Sequence, residues 1–189
     1  GTAVVRRGPA EVNFTKDEMK HAISYLDLDE FEKGLARARP ALDAIAGKVY
    51  TLGDRAGLGS TVKMVNQHLA GVHIAAACEA MALGMRAGAD PAQLYEVICN
   101  SAGMSWMFQN RVPHILDGDY TPLSSVNIFV KDLGIVLDAA RKLAFPLPLA
   151  AAAHQLYLAT AAAGHGNEDD AAVVKFYAEL AGLELPAKT

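Results

Sequence analysis

No Gly-x-Gly-x-x-Gly turn occurs anywhere in these 189 residues, so a self-contained glycine-rich seat for a dinucleotide pyrophosphate is excluded. Basic clusters are equally scarce. None is longer than Arg6-Arg7, and a formal net charge of -4 argues against a nucleic-acid partner, because phosphate binding needs a basic surface. The only cysteines, Cys78 and Cys99, sit inside apolar helical patterns at a spacing that fits no zinc motif. They read as small buried hydrophobes of a reducing, cytoplasmic compartment, and no metal site is expected. The most apolar window, Leu69 to Leu83, is interrupted by His73 and Glu79 and is too short to cross a bilayer, so no membrane partner is expected. No signal-peptide pattern opens the chain, and its Gly-Thr start is what a trimmed chain would show.

What is present is mostly helix. With 52% apolar and 20% charged residues the chain has the balance of a folded protein. Residues 1–14 show no sustained periodicity and, with Gly8-Pro9, read as a tail or the end of a missing element. Thr15 with Glu18 makes a capping box for a short helix over 16–26, and a second helix begins near Asp29 and stops at Gly47. Val49-Tyr50-Thr51-Leu52 is a lone strand candidate, which needs a partner to satisfy its backbone groups.

From Ser60 to about Arg86 no proline interrupts a run with apolar residues at 62, 65, 69, 72, 76, 80 and 83, so this long helix is the expected spine. Ala75, Ala76, Ala77 and Ala80 would let other helices approach it closely. Further helices are expected from Asp90-Pro91 to Asn100, from Met104 to Leu116 with a bend at Pro113, from Val126 to Ala144, over the alanine-rich stretch to Ala163, and after Asp169 or Asp170. The fold class is therefore all-α, a long central helix packed by about six others. The expected division is an N-terminal segment, 1–56, and a helical domain, 57–189.

The chemistry concentrates in Gly57-Leu58-Gly59-Ser60-Thr61-Val62-Lys63-Met64-Val65-Asn66-Gln67. A lysine in the first turns of a helix meets the positive end of the helix dipole, which disfavours a cation by roughly 0.3–1 kcal/mol and suits a proton-transfer role inside a cleft. On composition alone, a solvated surface lysine is the commoner use. Lys131-Asp132 is a second polar interruption, equally readable as a surface pair. Ser101, Ser105, Ser124 and Ser125 serve as caps or pocket hydroxyls, and His73 and His154 read as satisfied core or interface histidines. Trp106 with Met104, Met107 and Phe108 could line a cofactor pocket, with core packing the plainer use.

Three motifs in order, Gly57-x-Gly59-x-x-x-Lys63-x-x-Asn66-Gln67, Lys131-Asp132-Leu133-Gly134 with Asp138, and Asp169-Asp170-Ala171-Ala172-Val173, resemble the C-terminal helical half of the β-hydroxyacid dehydrogenases. That family includes 3-hydroxyisobutyrate and 6-phosphogluconate dehydrogenases. Ser105-Trp106-Met107-Phe108 and Asp119-Tyr120-Thr121-Pro122 look most like its L-threonate dehydrogenase branch. The resemblance implies an NAD- or NADP-dependent oxidation in which Lys63 exchanges the hydroxyl proton, Asn66 or Gln67 holds the substrate and Lys131 meets the cofactor. It also implies a homodimer built on the long helix. Many relatives carry asparagine where this chain has Gln67. Several carry phenylalanine where it has Ser124, a change expected to make the pocket more polar and to favour a polyhydroxylated, threonate-like acid. Since relatives bear a dinucleotide-binding domain upstream, the segment 29–52 resembles the end of that domain, and the isolated chain is expected to bind a dinucleotide weakly or not at all. The competing expectation is a catalytically silent helical oligomerisation module descended from such an enzyme.

Overall fold

Twenty-nine residues without a proline, rich in Ala, Val, Leu and Met, form one helix from Leu58 to Arg86. At about 1.5 Å per residue it is roughly 43 Å long. The computed structural model describes residues 4–7, 10–13, 28–50, 52–53 and 57–188. The chain falls into two compact units, 1–62 and 63–189.

In the first unit, the residues read as a tail form an antiparallel hairpin of β1 (Val4–Arg7) and β2 (Ala10–Asn13). Val4 pairs with Asn13 and Arg7 with Ala10, across the Gly8-Pro9 link. The apolar alternation is too short to stand out in sequence, yet valine-rich arms flanking Gly-Pro favour this arrangement. Helix α1 (Leu28–Ile45) follows close to expectation and tolerates Pro40 inside it. Of the strand expected over 49–52, residues 49, 50 and 52 lie outside any strand and residue 51 lies outside the described residues; among the described residues β1 and β2 pair only with each other. The short helix expected over 16–26 lies outside the described residues.

The second unit is helical, as expected. Around the Leu58–Arg86 helix, α2, stand α3 (Pro91–Cys99), α4 (Trp106–Leu116), α5 (Val126–Lys142), α6 (Pro148–Thr160) and α7 (Val173–Ala181). A π-turn, Ala161–His165, closes α6, and a 3-10 turn, Asp170–Ala172, opens α7. Asp90 caps α3 by accepting from Gln93 N at 2.9 Å, with Pro91 in the first turn, and Ser105 caps α4 by accepting from Phe108 N at 3.0 Å. Pro113 sits inside α4 without ending it.

The core face of α2 is not the stripe that periodicity suggests. Gly71, Ile74, Ala75, Ala77, Cys78, Met81 and Ala82 are buried, whereas Val62, Val65, Leu69 and Leu83 are exposed. A helix apolar on two faces gives no periodic signal that chooses between them; small residues and the close approach of α5 decide it. A Cβ on Gly71 would stand 2.9 Å from Phe129 Cδ1 and 3.1 Å from Leu133 Cδ1, so α5 crosses α2 where a side chain is missing. Tyr157 of α6, buried and stacked on Phe129 with centroids 5.2 Å apart, donates its hydroxyl to Gly71 O at 3.0 Å. His154 of α6 bonds Val130 O at 2.9 Å, the satisfied core histidine expected.

By length and composition alone α2 could cross a membrane, contrary to the reading of its apolar window in isolation. Its inner face is instead buried in the core, and its first turns carry the polar residues described below.

The tail after α7 returns across the turn that follows α4. Gly118 has φ +61, and a Cβ there would lie 2.5 Å from Lys188 N and 2.6 Å from Pro186 O, both backbone atoms. Gly118→Ala is expected to lower stability by about 1–3 kcal/mol, from left-handed strain plus displacement of the tail. A urea melt checks it, and an unchanged midpoint would show that the tail is not held there.

Candidate active site

Lys63, Asn66 and Gln67 lie on the first turns of α2, and Lys131 and Asp132 on the second turn of α5. Residues three and four apart share one helix face, so Lys63 and Gln67 meet along α2. Lys63 Nζ donates to Gln67 Oε1 at 2.5 Å, and Asn66 Nδ2 donates to the same oxygen at 3.2 Å. The other end of the amide crosses between helices: Gln67 Nε2 donates to Asp132 Oδ2 at 2.7 Å. Asp132 Oδ1 pairs with Lys131 Nζ at 3.1 Å.

The two lysines are thus joined through one amide and one carboxylate, 68 positions apart in sequence but continuous in space. Lys131 is 66% exposed and Asp132 only 17%, so the charge in the middle of the chain of contacts is the sheltered one. Among the described contacts Lys63 uses one of its three ammonium donors. Gln67 is engaged at both ends. Asn66 is exposed and, among the described contacts, uses only its amino group, which leaves its carbonyl oxygen open.

Among the described contacts Ser124 does not join this hydrogen-bonded chain. Its carbonyl accepts from Asp170 N at 2.8 Å, and Asp169 N donates to Tyr120 O at 2.9 Å. Leu123 N donates to Asp169 Oδ2 at 3.0 Å. Val126 N and Asn127 N, which begin α5, donate to Glu168 O at 3.0 Å and Gly166 O at 2.9 Å. The free N–H groups at the start of α5 are therefore satisfied by backbone carbonyls, since Ser125 gives no side-chain cap. The Asp169-Asp170 motif clamps the start of the helix that carries Lys131 and Asp132.

Beneath this clamp Arg111 Nε donates to Asp170 Oδ1 at 2.7 Å, with both side chains buried. Burial pushes the Asp170 carboxyl up to about 6, reinforced by the Asp169 charge, while the Arg111 guanidinium and the Ser124 hydroxyl pull it down. Among the described residues Oδ2 of Asp170 has no hydrogen-bond partner.

The aromatic segment divides. Phe108 is buried and Met107 half-buried in the core, as plain packing expects, but Trp106 is 67% exposed and Met104 44%. What sequence reading missed is the bond from Gln67 to Asp132 and the Arg111–Asp170 pair. A motif aspartate next to a motif lysine was the signal for the first; Arg111 offered none, since its partner is distant in sequence.

The family model described as "NAD-binding of NADP-dependent 3-hydroxyisobutyrate dehydrogenase" matches residues 57–177. The chain belongs to this family. It is 66% identical over 151 residues to L-threonate dehydrogenase of Cupriavidus necator, covering 80% of this chain and 50% of that one. It is 34% identical over 154 residues to 3-hydroxyisobutyrate dehydrogenase of Pseudomonas aeruginosa, covering 77% of this chain and 51% of the relative. Among solved structures, a 3-hydroxyisobutyrate dehydrogenase from Salmonella typhimurium superposes with TM-score 0.74 at 56% identity, covering 76% of this chain and 50% of that one. The Mycobacterium tuberculosis 3-hydroxyisobutyrate dehydrogenase with L-serine superposes with TM-score 0.69 at 31% identity, over 76% and 51%. The chain spans about half the length of the relatives it matches.

A carboxyl held more protonated in the folded than in the unfolded chain contributes stability that is full below about pH 4 and is lost as pH rises towards 6. Asp170 therefore contributes a fall in unfolding free energy of up to about 3 kcal/mol across that window. Urea melts of the wild type and Asp170→Asn from pH 4 to 7 test this: the fall is expected to shrink in the variant, and parallel curves would refute it.

Proposed function

We propose that this chain is the substrate-binding half of an NAD(P)-dependent hydroxyacid dehydrogenase acting on a small, threonate-like sugar acid. The observation that carries the reading is the exposed Lys63, set beside Asn66 on α2 and tied through Gln67 to Lys131-Asp132 on α5. Relatives named L-threonate dehydrogenase, 55–66% identical, support the substrate class.

In this reading a nicotinamide cofactor, when bound, takes the hydride from the carbinol carbon. Lys63 takes the hydroxyl proton in the oxidative direction and returns it in the reductive one. The open carbonyl of Asn66 accepts from a substrate hydroxyl, and the spare donors of Lys63 bind the reacting oxygen. Lys131, the exposed partner of Asp132, meets the cofactor; exposed cationic Lys131 at an anionic dinucleotide is the simplest use of its charge. Gln67 holds Lys63 in place, and Ser124 bears on substrate through the segment that leads into α5.

Residues 57–189 form the substrate and dimerisation domain, and residues 1–56 an N-terminal segment. Val62, Val65, Leu69 and Leu83, exposed along one side of α2, give the long helix an apolar face suited to a second copy. We assign the protein to the cytoplasm, where Cys78 and Cys99 remain free thiols, and to neither membrane nor nucleic acid.

The test is reduction of NAD or NADP with L-threonate and with 3-hydroxyisobutyrate, on this chain as given and on the product of its full reading frame. The full product is expected to prefer L-threonate, and this chain alone to be inactive. Lys63→Ala should lower kcat by about 10²–10⁴-fold. Equal turnover of the two acids would remove the substrate assignment; retained kcat in the variant would remove the proton-transfer role.

A further inference from the structure

The Gln67 amide stands between two groups that each permit it a single orientation. A carboxylate only accepts hydrogen bonds and an ammonium only donates them. With Asp132 on one side and Lys63 on the other, Nε2 must face Asp132 and Oε1 must face Lys63, which is the arrangement at 2.7 Å and 2.5 Å. An amide is nearly symmetrical in shape, and the uncharged amine that takes the substrate's proton can accept as well as donate, so without a one-way partner on α5 the amide could turn over and point an N–H at that amine.

We propose that Asp132 is a positioning residue: by fixing the Gln67 amide it keeps a carbonyl oxygen on Lys63 and stabilises the ammonium that forms when Lys63 takes the substrate's hydroxyl proton. This rests on the reading of Lys63 as the proton acceptor. The O–H bond of the substrate breaks, its proton joins Nζ, and the carbinol hydride leaves with its electron pair for the nicotinamide. Asp132 touches none of these atoms. It acts through the amide, from a site that is mostly sheltered, with its second oxygen held by Lys131 at 3.1 Å. The same geometry gives Gln67 a role in aiming the lysine, with both ends of the amide occupied, and leaves Asn66 as the amide that is open to a ligand.

The bond's direction can be reversed. Asp132→Asn lets the amide take either orientation whenever Lys63 is the uncharged amine. Adding Gln67→Glu restores a fixed acceptor, because the new carboxylate accepts from Lys63 on one side and from the asparagine amino group on the other. The first measurement is the rate at which Lys63 is acylated by an amine-reactive ester at fixed pH, read by peptide mass spectrometry on the 189-residue chain without cofactor. Only the uncharged amine reacts, so Asp132→Asn is expected to speed labelling several-fold, and the double variant to bring it to the wild-type rate or below.

The second is turnover by the full reading-frame product with L-threonate and NAD or NADP. Asp132→Asn should lower kcat about ten- to a hundredfold, the range for one hydrogen bond to a charged group, with KM changed by less than about twofold. The double variant should recover most of the loss. Wild-type labelling and turnover in Asp132→Asn would overturn the proposal, as would a double variant no better than the single one in both measurements. Labelling needs no turnover, so a Lys63 that proves dispensable for catalysis would sink the parent reading and leave the orienting bond itself measurable.

Discussion

The structure depends on one close approach, where α5 crosses α2 at Gly71. Because no side chain stands there, Phe129 and Leu133 come within the space a Cβ would occupy, and Tyr157 reaches past them to the Gly71 carbonyl. Gln67 is one turn before Gly71 on α2. Asp132 lies between Phe129 and Leu133 in sequence on α5. A contact that sets the separation of the two helices at Gly71 therefore sets the Gln67–Asp132 distance one turn away. Packing and chemistry share a crossing point, which is how a buried apolar contact comes to govern a polar one at the surface.

Around that crossing the supporting structure is arranged to hold α5 rather than α2. Its first N–H groups are satisfied by the carbonyls of Gly166 and Glu168, and its lead-in segment is clamped by Asp169 and Asp170. In its second turn, His154 bonds the carbonyl just before Lys131. The cost of this anchoring is a buried Arg111–Asp170 pair, in which one carboxylate oxygen has no partner among the described residues. Leaving a buried polar atom unsatisfied is unfavourable by about 1–3 kcal/mol, and the carboxyl responds by holding its proton to higher pH.

The helical class and most helix ends were legible because their signals are local. Asp90-Pro91, Ser105 and the glycines that stop the helices act through atoms a few residues away. The β1–β2 hairpin was missed because its arms are four residues each, too short for alternation to register. The strand expected over 49–52 failed for the opposite reason: its local propensity was adequate, but a strand needs a partner, and among the described residues β1 and β2 pair only with each other. The core face of α2 was misjudged because the helix is apolar on two sides, and only contact with α5 selects one.

For the site, the sequence by itself determined which residues were candidates. Lys63, Asn66, Gln67, Lys131 and the Asp169-Asp170 pair stand in motifs whose spacing follows from the helix repeat, and a repeat of that kind is written locally. Only the tertiary structure decided how they divide. It joined Gln67 to Asp132, left Asn66 open, and placed Ser124 with Asp170 apart from the lysine's hydrogen-bonded chain. The physical reason is range: periodicity and caps act over one or two turns, whereas a hydrogen bond between residues 67 and 132 exists only because two helices cross where Gly71 lets them.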